Sequence, residues 1–302
     1  MQIEIDQLTD DQSKQYRLKN NRGIEVSISN RGGRIDRLLV PDRNGHQEDI
    51  IFSAFFRKSD AFDSSILTGV SGQVYDVSSG TVRHSHLALH DFVFNDGERF
   101  TTTRQAGLRL STEIVVEDQS IDLNILYLLT NDNQLTIHYV ATTKQPLRLS
   151  LSLPIFFNLS GNCKESITQH DLKFSSSHFL HPAPTLLIDP LFTQTKGTDF
   201  DFQLGRRLNQ FFSNKTPSIH QFDTYFLFHQ QPVISIHEAV SGRWMTIETS
   251  QPGFVLSAAS NNDRISSYFG ICFDSSPFVL SSFINQDSPY SQHITYSFST
   301  TY

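Results

Sequence analysis

The side chains able to move protons or hold metals are scattered along this chain rather than gathered in a local signature. Twelve histidines occur among 302 residues, yet none forms an HExxH pair or a comparable metal spacing. No Gly-rich phosphate loop and no G-x-S-x-G turn occurs, which sets aside P-loop phosphoryl transfer and a serine nucleophile elbow. Cys163 and Cys272 cannot build a disulfide framework and are expected as buried thiols. No cofactor and no metal is implied by these residues. Read singly, these residues are bland. A histidine such as His90, beside apolar residues in His86-Leu-Ala-Leu-His-Asp-Phe92, suits a core or surface place. Asp223 suits a strand-end turn, and Asp274 a turn-capping carboxylate before Ser275.

The elements that must position these groups read as strands. Phe 25 and Tyr 9, with only two Met, favour sheet over helix. Residues 23–29, 108–114, 121–127 and 134–140 alternate apolar and polar, so each offers one face to a core. Turn signals separate them at Arg31-Gly-Gly33, Pro41-Asp-Arg-Asn-Gly45, Asn95-Asp-Gly97, Thr130-Asn-Asp-Asn133, Ser241-Gly242 and Gln251-Pro-Gly253. Many short strands so spaced predict an all-β sandwich or barrel. With no long linker and no internal repeat, residues 1–302 are expected to form a single domain. Pro182 to Pro217 is the least regular stretch and reads as an excursion over the surface.

With 24 basic against 31 acidic residues, the formal charge is −7, so nucleic acid is not an expected partner. Met1-Gln-Ile-Glu-Ile-Asp6 has neither a basic nor an apolar export region, and no run approaches the roughly 18 apolar residues of a membrane span. The expectation is a cytoplasmic protein with no membrane partner, monomer or homodimer.

Several segments, in order, resemble the galactose mutarotase (aldose 1-epimerase) family. Ser29-Asn-Arg-Gly-Gly-Arg-Ile35 with Leu38-Leu-Val-Pro-Asp-Arg-Asn-Gly45 resembles its first hairpin, and Phe156-Phe-Asn-Leu-Ser-Gly161 its His-Ser-Tyr-Phe-Asn-Leu-x-Gly motif, the most specific match. Gly197-Thr-Asp-Phe-Asp-Phe202 resembles Gly-Thr-Pro-Phe-Asp-Phe, and Phe222-Asp-Thr-Tyr-Phe-Leu-Phe228 resembles Tyr-Asp-His-x-Phe. The stretch from Ser241 to Gly253 and Gly270-Ile-Cys-Phe-Asp274 continue the order. The resemblance implies a large antiparallel β-sandwich, a mutarotase-like supersandwich, with a sugar cleft across one face and a small-molecule sugar as partner.

Mutarotation removes the anomeric hydroxyl proton while protonating the ring oxygen, then closes the aldehyde on its other face. The resemblance implies Asp274 as base, one methylene shorter than the family glutamate, roughly 1.5 Å of reach. A displacement of about 1 Å can cost on the order of 10²-fold in rate. It aligns Pro154 with the acid histidine, and proline carries no proton. His170 resembles a different, structural histidine. His90 matches the histidine that polarises the ring oxygen, with His86 as fallback. Asp223 matches the sugar-holding aspartate, followed by Thr224 in place of histidine. Both arginines of Gly-Arg-x-x-Asn-Arg-Ile are replaced in Gly72-Gln-Val-Tyr-Asp-Val-Ser78, leaving Arg83 or His84 to enter the cleft from nearby. Tyr225 and Phe156 are the candidate rings for stacking on a pyranose.

Two functions follow from this pattern. One is an enzyme that interconverts sugar anomers, with His90 and Asp274 as catalytic residues and Asp223, His86, Arg83, Tyr225 and Phe156 as the substrate set. The other is a catalytically inactive carbohydrate-binding protein on the same fold, favoured by Pro154, the missing arginines and the shortened acid. A blander third reading fills the cleft with side chains and leaves an interaction module.

Overall fold

A computed structural model of the protein describes residues 1–7, 13–52, 70–76, 83–89, 92–95, 97–116, 119–181, 191–212, 223–260, 268–274 and 283–301. Strands dominate, and every strand pairing among the described residues is antiparallel. The four alternating segments form strands where the pattern predicts them: Glu25–Ser29, Gln105–Val116, Gln119–Thr130 and Gln134–Thr143. The strand Gln119–Thr130 shows why. Ile121, Leu123, Ile125, Tyr127 and Leu129 are at most 1% exposed, while the residues between them face outward. Each such burial is worth roughly 1.5–3 kcal/mol, which fixes the register, because a slip by one residue would reverse every side chain.

Four sheets result. The first is a five-stranded meander, Gln2–Gln7, Lys14–Lys19, Glu25–Ser29, Ile35–Pro41 and Gln47–Asp49. The largest has nine strands in the order Arg206–Arg207, His170–Phe174, Val233–Glu238, Arg243–Thr249, Tyr290–Thr300, Gln134–Thr143, Gln119–Thr130, Gln105–Val116 and Glu98–Thr101. A six-stranded sheet runs Phe156–Phe157, Tyr268–Asp274, Gly253–Ser260, Thr224–Phe228, Ser176–Leu180 and Thr193–Gln194. A four-stranded sheet runs Phe283–Ile284, Leu147–Ser152, Ser71–Asp76 and Arg83–Ala88.

The six- and nine-stranded sheets pack face to face as a sandwich. Phe174 of the larger sheet meets Phe226 and Phe254 at ring separations of 4.9 and 5.0 Å, and Tyr296 meets Phe157 at 5.2 Å. One cluster of buried side chains runs through the sandwich from Tyr16 to Phe298. The glycine-rich turn of the first sheet docks on it. The Tyr127 hydroxyl donates to the Gly33 carbonyl, and Gly33 has φ +59°, with room for no Cβ, which would sit 2.9 Å from the Tyr127 oxygen.

The stretch expected as a surface excursion is only partly so. Residues 182–190 and 213–217 lie outside the described residues. Between them, Thr193–Gln194 and Arg206–Arg207 each add a sheet edge, Leu208–Phe212 forms a short helix, and Phe202 and Leu208 are buried in the main core. Alternation does not show this, because the segments are too short to carry a period.

Candidate active site

The six-stranded sheet brings four of the sequence-predicted site residues together. Its register sets Phe156 opposite Cys272 and Cys272 opposite Ser257. Asp223 precedes the Thr224–Leu256 pair and so extends this row beside Ser257. In the next row Tyr225 lies opposite Val255, and Val255 opposite Asp274. Residues two apart on a strand share a face, so Phe156, Asp223, Tyr225 and Asp274 all project from one side of the sheet. The other side carries Phe226, Phe254, Leu256, Ile271 and Phe273 into the main core. Asp223 is exposed and Asp274 half-buried. Two interstrand spacings separate their strands, about 10 Å, the scale of one hydrogen-bonded sugar ring.

Electrostatics tie the two carboxylates to one point. Burial pushes the Cys272 thiol well above its ordinary value, and the charges of Asp274 and Asp223 push it further. A hydrogen bond with the Ile155 backbone acts in the opposite sense on the same thiol. Asp274 also adds to the upward push that burial exerts on Tyr139, Tyr290 and Tyr296.

The rings differ in what they do. Phe156 packs with Phe52, Cys163, Ala259 and Cys272 in a small cluster of its own, on the candidate-site side of the sheet. Tyr225 is 2% exposed, and its ring runs over Gly253, where a Cβ would lie 2.4 Å from the tyrosine oxygen. Gly253 pairs with Leu227, so the Tyr225 hydroxyl points away from the Asp223 row. Burial raises that hydroxyl to about 12, leaving it neutral at physiological pH.

The remaining candidates belong to the four-stranded sheet or lie beyond description. Register pairs His86 with Gln73, His84 with Tyr75 and Arg83 with Asp76, and Gln73 in turn with Ser150. His90 lies outside the described residues. His170 is fully buried and its Nε2 accepts the Leu159 amide at 2.9 Å, a structural bond. Burial lowers it to about 4, so it is neutral there.

The Phe156–Gly161 motif builds a brace beneath the site. The Asn158 side chain donates to the carbonyls of Glu165 at 2.8 Å and Phe269 at 2.9 Å and accepts from Ser160. Arg243, 1% exposed, donates to the carbonyls of Leu159, Val40 and His46 and to Glu48 at 2.9 Å. Burial would raise the Glu48 carboxyl, but bonds and charge from Lys164 and Arg243 outweigh it and hold it below the usual carboxylate value. Gly161, at φ +79°, has no Cβ where one would meet Glu48 and Arg243.

Sequence reasoning missed Ser257 and Gln73. Ser257 donates to Asp223 Oδ1 at 2.6 Å. Gln73 occupies the position the resemblance gives to a substrate arginine, and the register sets it beside His86. The Ser257 bond and the Gln73–His86 register both depend on strand pairing, so no spacing rule reveals them.

The structure is a β-sandwich with two aspartates on the outer face of its six-stranded sheet, and its likeness to known proteins gives its class. The sequence model of the aldose 1-epimerase family matches residues 14–293, so the chain belongs to that family. Galactose mutarotase of Rattus norvegicus is 23% identical over 273 residues, covering 80% of this chain and 75% of that protein. The Homo sapiens galactose mutarotase is 25% identical over 256 residues, covering 76% and 73%. Among solved structures, galactose 1-epimerase from Lactobacillus acidophilus aligns with a TM-score of 0.77 at 17% identity, over 100% of this chain and 99% of that one. A GalM/aldose epimerase homologue from C. elegans aligns at 0.76 and 17%, over 96% and 100%. Family and relatives place the chain among isomerases of the mutarotase type.

Proposed function

We propose that this chain binds a hexose or related sugar over the outer face of the six-stranded sheet and interconverts its anomers by acid/base ring opening. Asp274 takes the proton from the anomeric hydroxyl. The C1–O5 bond breaks as the ring oxygen gains a proton from water, since Pro154 stands where the resemblance puts the acid histidine, with His90 polarising that oxygen and His86 as its fallback. Rotation about C1–C2 presents the other face of the aldehyde, and the reverse steps close the ring. Nothing is oxidised, so protein side chains and water supply all the chemistry. Asp223 holds sugar hydroxyls by charge-assisted hydrogen bonds. Phe156 and Tyr225 form apolar walls, and Arg83, on the four-stranded sheet, is the candidate cation of the substrate set. The reading treats the chain as one domain, which its continuous core supports. Two free buried thiols suit a cytoplasmic place of work.

The observation that carries this reading is the shared face of Asp223 and Asp274, both acting on Cys272. The test is anomerisation of D-glucose and D-galactose followed by polarimetry. Asp274→Asn is expected to slow the wild-type rate by about 10³-fold, within the range of a lost general base. Equal rates in both proteins would remove Asp274 as base. Pro154 at the position the resemblance gives to the acid histidine, the two replaced arginines and the shortened acid at Asp274 favour a second reading, a sugar-binding protein without catalysis. Calorimetric titration separates the two, since heat of sugar binding without accelerated anomerisation supports the second alone.

A further inference from the structure

Asp223 is the exposed member of the carboxylate pair, and an exposed aspartate samples several rotamers unless something fixes it. One contact does so. The Ser257 hydroxyl donates to Asp223 Oδ1 at 2.6 Å, a short charge-assisted bond. It is the single hydrogen bond that either side chain makes among the described residues, so Asp223 Oδ2 keeps its lone pairs for a ligand. Ser257 is placed for this by register. It sits on the adjacent strand between Asp223 and Cys272, on the face that carries Asp274. Next to it, the strand end that bears Asp223 is tied down from the core side, where Thr224 Oγ1 and His181 Nδ1 lie 2.7 Å apart.

We infer that Ser257 is a positioning residue for sugar binding: it pins one oxygen of Asp223 so that the other is aimed at a sugar hydroxyl before the sugar arrives. This deepens the proposed function and rests on it. Side-chain ordering completed before binding need not be paid for by the ligand, so its loss falls on affinity and not on the proton transfers. A merely structural serine would lower stability and leave affinity alone.

The test compares wild type, Ser257→Ala, Ser257→Thr, Asp223→Ala and the Ser257→Ala/Asp223→Ala double variant, using whichever of D-glucose and D-galactose the wild type binds. Ser257→Ala is expected to raise KM about tenfold with kcat within about twofold, the size of a lost bond to a charged group. Ser257→Thr, which keeps the hydroxyl, is expected to stay within about threefold of wild-type KM. In the Asp223→Ala background the serine change is expected to add nothing, because the two residues act as one unit. Unchanged KM in Ser257→Ala, with Asp223→Ala still weakened, overturns the positioning role and leaves the proposed function standing. A fall in kcat at constant KM also overturns it. A wild type that neither binds nor turns over either sugar overturns the proposed function itself, and this inference with it.

Discussion

Two polar regions in this molecule treat charged side chains in opposite ways. Beneath the site, Arg243 is fully buried, paired with Glu48, and bonded to three backbone carbonyls. On the site face, Asp223 is exposed and makes one hydrogen bond among the described residues, through Oδ1 alone. A charge satisfied on every side holds elements together and can do little else. A charge fixed on one side and open on the other is equipped to meet a ligand. The brace ties the first sheet, the Phe156–Gly161 turn and the nine-stranded sheet into one body, and that rigidity lets the open face keep its spacing.

Mutations that break this contrast should separate stability from chemistry. The largest effect is expected at Arg243→Ala, which leaves the half-buried Glu48 with half its compensation and three carbonyls without their donor. A loss of about 5 kcal/mol of folding stability follows, the upper end for breaking a buried pair, read by denaturant melts. Asp274→Asn should do the reverse. Its rate loss of about 10³-fold corresponds to roughly 4 kcal/mol of barrier, with a melting temperature near wild type. If Asp274→Asn instead unfolds the protein at unchanged specific activity, the two regions are not distinct.

A pH titration sharpens the same contrast from the buried side. His170 falls to about 4 in the folded protein because burial disfavours its charged form, against an ordinary value of 6.5. The depressed value means that its contribution is fully present above about pH 6.5. Below that pH the unfolded chain takes up the proton while the folded chain resists it, so stability falls until pH reaches about 4. The loss over that window is about 3 kcal/mol. In His170→Gln the acid limb of the stability profile should flatten while the neutral-pH value drops, because the acceptor for the Leu159 amide is altered. An unchanged acid limb would place the titrating group elsewhere.

The sheets were legible in the sequence because their signal is local. Ile121, Leu123, Ile125, Tyr127 and Leu129 announce a buried face within nine residues, and the turn at 130–133 announces its partner strand. The site was legible only residue by residue. Asp223 and Asp274 could each be picked out from a resembling motif, but that they share a face depends on strand order, with Gly253–Ser260 lying between their strands. The same non-local pairing hides Ser257, and 195 positions separate Glu48 from Arg243. Short strands such as Arg206–Arg207 carry no period, which is why the stretch between Pro182 and Pro217 looked unanchored.

Tyr225 sits on the border between the packed and the open region, so its smallest change is the finest probe of where that border runs. Its backbone belongs to the row of Asp274, but its hydroxyl lies over Gly253 and away from Asp223. If the ring serves the site as a packed wall, removing only the oxygen should matter little. Tyr225→Phe is expected to leave sugar KM within about twofold and stability within about 1 kcal/mol, since a single neutral hydrogen-bonding group is at stake. Gly253→Ala attacks the same contact from below, because its Cβ would meet the Tyr225 oxygen at 2.4 Å and the Phe226 carbonyl at 2.3 Å. It is expected to cost about 1–3 kcal/mol of stability by overpacking. It should also raise KM by displacing the ring toward the sugar. A tenfold rise in KM for Tyr225→Phe would move the tyrosine across the border, as a hydroxyl that touches the ligand directly.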